Sequence, residues 1–249
     1  MVDNIKVFKD TLEMSNTIYK NETEHAKQNT EVIIDGASLL REKGDKAQEI
    51  RFLTKGSVGC VEGVVLPYRV AVLNFADPFD AGGLVWEGVE TQEEDLCRCS
   101  NLYPCISQNK VFDDYYGYNR ELGGNIFSDR LIYSKDVLFF RDESYWNLSF
   151  PVKADVITCP APVECDDIEV FRGRIKAIIG AAYSAGVDIL ILGAFGTGAF
   201  GNDSHLVATA FKEVLDEYKL FDIVYFPFKR SDNKPSEKYM IFKEVFNGR

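Results

Sequence analysis

The sequence predicts an α/β fold, a mixed or parallel sheet covered by helices on both faces. Three observations carry that prediction. Val70-Ala71-Val72-Leu73-Asn74-Phe75 and Ile189-Leu190-Ile191-Leu192 are almost uninterrupted apolar runs. Runs of that length without polar alternation mark strands buried on both faces. Between them Ile168, Phe171, Ile175, Ile178, Ile179 and Ala182 recur at helical spacing, the pattern of a helix laid on a core. Strands that alternate with such helices build a sheet sandwiched between helical layers.

In chain order, Ile5, Phe8, Leu12 and Tyr19 share one face and predict an amphipathic helix over residues 4–19. Residues 24–41 read as a second helix or as a strand followed by a helix, because Glu31-Val32-Ile33-Ile34 fits both. Gly44, Gly56, Gly59, Gly63 and Pro67 predict loops with short extended pieces across residues 42–68. A strand is expected at 69–75, then a Pro/Gly turn. A helix headed by Glu93-Glu94 follows over Asp95 to Tyr103. Residues 130–140 predict two short strands or one bent strand, and Asp155 to Cys159 another, stopped by Pro160 and Pro162. Asp166 and Asp167 cap a helix running to about Ala185, as short acceptor side chains do at helix starts. The strand at 188–192, a helix from Ser204 to Tyr218, a strand at Ile223 to Phe226 and a last helix over 235–246 complete the order. With no repeat and no linker, residues 1–249 read as one domain, with 1–68 an N-terminal accessory region and 69–249 the core.

With 249 residues, 46% of them hydrophobic, the chain can bury a substantial core,. Its net charge of −11 argues against nucleic acid wrapped on a basic face, so no direct DNA binding is expected,. Steering of an anionic substrate should be weak or repulsive, although backbone N–H groups can hold phosphate without Lys or Arg. No apolar run nears the ~20 residues of a membrane helix, and the N-terminus lacks signal-peptide features, so a cytoplasmic location is expected. The six cysteines then read as reduced thiols,. Cys97, Cys99 and Cys105 are poorly spaced for zinc, and no metal is expected. Only His25 and His205 are present, too few for a hydrolase built on clustered histidines. His25 reads as a surface residue and His205 as part of a helix start, so proton chemistry falls to carboxylates.

Two segments carry that chemistry. Gly193-Ala194-Phe195-Gly196-Thr197-Gly198-Ala199-Phe200-Gly201 joins a buried strand to a helix. Four glycines there let backbone N–H groups approach a diphosphate, where a plain turn needs one. No Lys-Ser/Thr pair follows, so this is not a Walker loop. Phe200 either stacks on a ribose or base or anchors the loop in the core. The second segment runs from Asn74 to Glu94. Asp77 and Asp80 flank Pro78, and turn geometry accounts for both. Gly82-Gly83 can approach a sugar or serve as a hinge. Glu93 and Glu94, if buried together, set one carboxyl to a raised pKa suited to general acid work. If exposed, they are first-turn acids favoured by the helix dipole.

Ala81-Gly82-Gly83, eight residues and Gln92-Glu93-Glu94 resemble the signature of the bacterial-type poly(ADP-ribose) glycohydrolases, three glycines and then Gln-Glu-Glu. Gly196-Thr197-Gly198-Ala199-Phe200-Gly201-Asn202 resembles that family's diphosphate loop. The opening Thr11-Leu12-Glu13 helix, Ile132-Tyr133-Ser134, Phe140-Arg141-Asp142 and the segment Asp155 to Pro162 resemble it in the same order. The resemblance implies a macrodomain-like mixed sheet between helices, with an N-terminal helical extension. It implies a glycosidase that hydrolyses ribose–ribose bonds of poly(ADP-ribose) without a cofactor. Its partner would be poly(ADP-ribose) or ADP-ribose, including ADP-ribose on modified protein. Glu94 would be the acid/base and Glu93 its ribose-positioning neighbour. Asn74, Asp77, Ala81, Gly82, Gly83 and Gln92 would lie along the substrate, and Gly196 to Asn202 would hold the diphosphate. An ADP-ribose reader without turnover and a mono-ADP-ribosyl hydrolase are the alternatives, and the intact acid pair speaks against the reader. This chain departs from the pattern at Ala81, where the family has glycine, at Asp77, where related macrodomains place Asn, and in the bulk of Trp86.

Overall fold

The computed structural model describes residues 2–64, 67–229 and 235–248. Val65 and Leu66, in the stretch predicted as loop, lie outside the described residues. The first elements are α1 (Asn4–Asn16), α2 (Lys20–Gln28), β1 (Thr30–Ile33), β2 (Glu49–Leu53), α3 (Ser57–Glu62) and β3 (Val70–Phe75). The middle of the chain forms α4 (Gln92–Cys99), α5 (Leu102–Ile106), α6 (Asn109–Val111), a π-helical turn (Phe112–Gly117) and α7 (Tyr118–Leu122). Then come β4 (Leu131–Arg141), β5 (Asn147–Cys159), α8 (Ile168–Ser184), β6 (Ile189–Ile191), α9 (Ser204–Tyr218), β7 (Ile223–Pro227) and α10 (Glu237–Asn247).

The seven strands form one sheet in the order β1-β4-β5-β3-β6-β7-β2. The β1–β4 and β4–β5 pairs are antiparallel and the rest are parallel. Alternation on β3 shows why its sequence is apolar throughout. Ala71 and Leu73 join the core under α8, α9 and α10, with Ile178, Phe211 and Phe226. Val70 and Val72 join the opposite core, with Phe8, Val58, Leu96 and Leu102 from α1, α3, α4 and α5. The sheet therefore has a helical layer on each face. Among the described residues no helix is long and apolar enough to cross a membrane.

Several expectations need correction. The helix predicted over 4–19 stops at Asn16, where Thr17 Oγ1 donates to Glu13 O and Tyr19 N to Met14 O, turning the chain into α2. Residues 24–41 resolve as a helix end, strand β1 and a single 3₁₀ turn at Ala37–Leu39. The loop predicted over 42–68 holds both an edge strand, β2, and a helix, α3. β2 is only half buried and carries a Glu49–Arg51 ion pair, so it lacks the apolar run that reveals β3. The helix expected to reach Tyr103 breaks after Cys99. Ser100 turns extended to bridge Phe139, and Asn101 N donates to Leu138 O, drawing the backbone onto β4. Over residues 130–140, the bent single strand is the one of the two expected forms that is found, with register shifts between Ser134 and Val137 and Asp136 at φ 57°.

The N-terminal third docks on α8 through bare backbone. A Cβ on Gly180 would stand 2.1 Å from Gly36 O, and one on Gly36 would stand 2.4 Å from Ala177 O. Since neither contact is with a flexible side chain, Gly180→Ala forces the turn off the helix. Overpacking of this kind costs about 1–3 kcal/mol, or roughly 2–4 °C of Tm per kcal/mol in a chain this size. A thermal melt matching wild type would refute the contact.

Candidate active site

Loops following the carboxyl ends of the parallel strands converge on one edge of the sheet, the usual ligand side of such folds. The loop after β3 leads to α4, whose start is anchored to the strand it left. Gln92 Oε1 accepts the Phe75 N–H at 2.8 Å, and its Nε2 donates to Leu73 O at 2.7 Å and to Ser57 Oγ at 3.1 Å. The Gln92 amide is thus occupied by backbone of β3 and by α3. This anchor turns the next two side chains inward. Glu93 and Glu94 are buried, which excludes the reading of solvent-facing first-turn acids.

Each carboxylate is held at both oxygens. Glu93 Oε1 accepts from Asn74 Nδ2 at 3.0 Å and Oε2 from Asp77 N at 2.7 Å. Glu94 Oε1 accepts from Leu84 N at 3.0 Å, and Oε2 from the Thr91 hydroxyl. Thr91 stands at the N-cap of α4 but makes no side-chain cap bond to the helix; its hydroxyl goes to Glu94 instead. Both acids meet at Gly83, where a Cβ would stand 2.7 Å from Glu94 Oε1 and 3.3 Å from Glu93 Oε2. Gly83 also has φ 55°, a conformation that glycine adopts without strain,. Neighbouring Gly82 lies over the Tyr103 ring.

Burial pushes the Glu93 carboxyl up to about 8, although the Asp77 N–H and Asn74 amide favour its ionised form and oppose the shift. Near neutral pH Glu93 therefore keeps its proton and offers an O–H. From about pH 4.5 to 8 the folded chain holds a proton that an unfolded Glu93 has lost, so this residue makes stability fall as pH rises through that window. Glu93→Gln should flatten the slope of Tm against pH between 5 and 8, since Asn74 can flip to present its unpaired Oδ1. A slope unchanged from wild type would show that Glu93 is ionised in the fold.

Each departure from the expected pattern has contacts within the fold. The half-buried Ala81 methyl packs against the α1–α5 core. Asp77 Oδ1 accepts the N–H groups of Phe79 and Asp80, both at 2.8 Å, so its charge is used inside the turn. Trp86 donates from Nε1 to Tyr103 OH at 2.9 Å and packs edge-on to Phe8, leaving about half the side chain exposed at 47%. The sequence reading missed Thr91, Tyr103, Ser57 and Thr158, the last bonded to Asn74 at 3.2 Å. Only Thr91, directly before Gln92 at a helix start, carried a local signal.

The loop after β6 is shaped by Asn202, whose Nδ2 donates to Gly196 O and Pro162 O, both at 2.7 Å, and whose Oδ1 accepts Cys165 N at 2.9 Å. Asn202 is buried and acts as a brace. Thr197 is turned back onto Ala194 O by its hydroxyl at 2.9 Å. Among the described residues the N–H groups of Gly198, Ala199 and Phe200 make no hydrogen bond within the chain, and Gly198 and Ala199 are exposed. Asp203 caps α9 by accepting Leu206 N at 2.8 Å. Phe200 is half buried, partly against the core and partly on the cleft wall.

That cleft has a volume of about 510 Å³ and runs from Phe75 and Thr91 past Gly196 and Phe200 to Phe228 and Lys238. Glu93 and Glu94 are not part of its wall, so the cleft and the acid pair are adjoining compartments that meet at Thr91 and Gln92. His25 is exposed and pairs with Asp136 at 3.1 Å, away from these loops. All six cysteines are free and buried, and no metal-binding cluster exists among the described residues.

A seven-stranded mixed sheet between helical layers, with a glycine loop and buried acids at the carboxyl ends of its strands, is a macrodomain-like fold. Residues 6–142 match the family described as "Microbial-type PARG, catalytic domain", and the chain belongs to that family. It is similar to the poly(ADP-ribose) glycohydrolase of Thermomonospora curvata, at 26% identity over 98% of this chain and 99% of that one, with a TM-score of 0.88. It is also similar to the poly(ADP-ribose) glycohydrolase of Deinococcus radiodurans solved in complex with ADP-ribose. That similarity is 27% identity over 91% and 97% of the two chains, with a TM-score of 0.83. A further Thermomonospora structure, bound to the inhibitor ADP-HPD, matches at 25% identity over 98% and 99%, with a TM-score of 0.83. A search of curated protein sequences finds no match.

Proposed function

We propose that this chain is a poly(ADP-ribose) glycohydrolase that hydrolyses ribose–ribose O-glycosidic bonds and releases ADP-ribose. The observation that carries this reading is the meeting of two buried, fully hydrogen-bonded carboxyl groups at Gly83. In this reading the diphosphate lies on residues 196–201, the adenosine lies in the cleft, and the distal ribose rests on Gly82-Gly83. Glu94 protonates the departing oxygen, and its Leu84 N–H and Thr91 hydroxyl partners stabilise the carboxylate left behind. The same carboxylate then takes a proton from the attacking water. Glu93, with its O–H available and its place fixed by Asn74 and Asp77, positions a ribose hydroxyl. One carboxyl acting twice differs from the paired acid and nucleophile of ordinary glycosidases. No cofactor is needed. Residues 1–249 act as a single domain, because residues 1–68 supply both edge strands of the sheet.

The test is incubation of the purified protein with poly(ADP-ribose), with released ADP-ribose quantified by chromatography. Time-dependent release supports the assignment. Calorimetric binding of ADP-ribose without release from the polymer would make the chain a reader or a mono-ADP-ribosyl hydrolase.

A further inference from the structure

The cleft has an electrostatic imbalance that the glycine loop alone does not resolve. Four carboxylates, Glu90, Asp95, Glu143 and Glu237, stand on its wall, and the side chain of Glu164 lies against Gly201 on the loop itself. Among the described residues the only cations on the wall are Lys229 and Lys238. Lys229 is neutralised by Asp95 at 2.9 Å. Lys238, on the first turn of α10, is half buried, and its ammonium makes no hydrogen bond or ion pair among the described residues. Its Nζ stands 3.9 Å from where a Cβ on Gly198 would be, on the loop whose Gly198, Ala199 and Phe200 N–H groups make no hydrogen bond among the described residues.

An ammonium placed in partial burial without a counter-ion costs desolvation and gains nothing in the free protein. The same desolvation lowers the Lys238 pKa, in keeping with a charge whose partner is supplied from outside the chain. We propose that Lys238 is the cation of the diphosphate site, closing over the substrate's pyrophosphate from α10 while the loop holds it from below. This rests on the glycohydrolase reading above and extends it, since the matched residues 6–142 do not include α10. In a chain of net charge −11, one unpaired lysine at the phosphates offsets repulsion where the ligand's negative charge is concentrated. Lysine serves here as a point charge, so arginine should substitute for it in part.

Calorimetric titration of ADP-ribose into wild type, Lys238→Met and Lys238→Arg at several salt concentrations tests the proposal. Loss of a charge-assisted contact should weaken binding by the methionine variant about ten- to hundredfold. It should also flatten the dependence of log Kd on log salt, and the arginine variant should recover most of both. Equal affinity in wild type and Lys238→Met would overturn the role of Lys238 and leave the glycohydrolase reading standing. A loss shared by both variants with an unchanged salt slope would mean that the residue only supports α10, and would overturn it as well. Failure of wild type to bind ADP-ribose would overturn both readings together.

Discussion

Glu94→Gln lowers poly(ADP-ribose) turnover by about 10²–10⁴-fold, the range a general acid/base supplies, while ADP-ribose binding and the melting temperature stay near wild type. The substitution is nearly isosteric. The carbonyl of the introduced amide can still accept the Leu84 N–H, and Thr91 can rotate its hydroxyl to accept from the amide nitrogen. Packing around Gly83 is therefore retained and only the transferable proton is lost. Chromatographic turnover and calorimetric binding on the same preparation separate the two effects. Turnover within a few-fold of wild type would remove Glu94 from the mechanism. A parallel collapse of binding would mean that the residue holds the substrate and leaves the chemistry to another group.

The second large effect is on stability. Arg174 projects from α8 and is almost fully buried, with its side chain 1% exposed. Its guanidinium donates to Asp129 at 2.6 Å, to Ile126 O at 2.9 Å and to Pro160 O. Asp129 is half exposed, so its ion pair is partly screened and contributes little. The carbonyls matter more. Removing Arg174 leaves Pro160 O and Ile126 O without their donor, at about 1–3 kcal/mol each. Arg174→Met, which keeps the hydrophobic stem, is expected to lose about 3–5 kcal/mol, a large share of a typical 5–15 kcal/mol. Lysine should not rescue it, because three separated acceptors need the planar fork. Urea unfolding of the variant measures this directly, and a loss below about 1 kcal/mol would show that the carbonyls find other donors. Pro160 precedes Ala161, whose methyl lies against Gly196, so the variant should also loosen the diphosphate loop.

What was legible in the sequence was whatever is buried on two sides or repeats with a period. β3, β6, α8 and α9 announce themselves because both faces of the strands and one full face of each helix meet core. β2, with its alternating burial, and the exposed first half of β5 have no such signature. The short helices between residues 102 and 122 are set by tertiary contacts, such as the Asn101–β4 bonds, that no local pattern encodes. In the site, the acid pair and the glycine loop were readable from residue type and spacing. Thr91 was readable only as a helix cap, whereas its hydroxyl serves Glu94. Arg174 and Lys238 carried no signal, since a lone cation on a helix is usually a solvated one. Their significance comes from where α8 and α10 bring them.

The order of strands in the sheet also governs how the protein is made. β2 leaves the ribosome long before β7, its only strand partner among the described residues, with Glu49 paired to Ile223. Until β7 emerges, the nascent polypeptide carries an open strand edge with unsatisfied N–H and C=O groups, guarded only by the charges of Glu49 and Arg51. The β2–β7 seam closes only after β7 has emerged, and such distant pairing is slow because a long loop must be closed before it is rewarded. The interval before closure is when the chain is most exposed to aggregation and most dependent on chaperones.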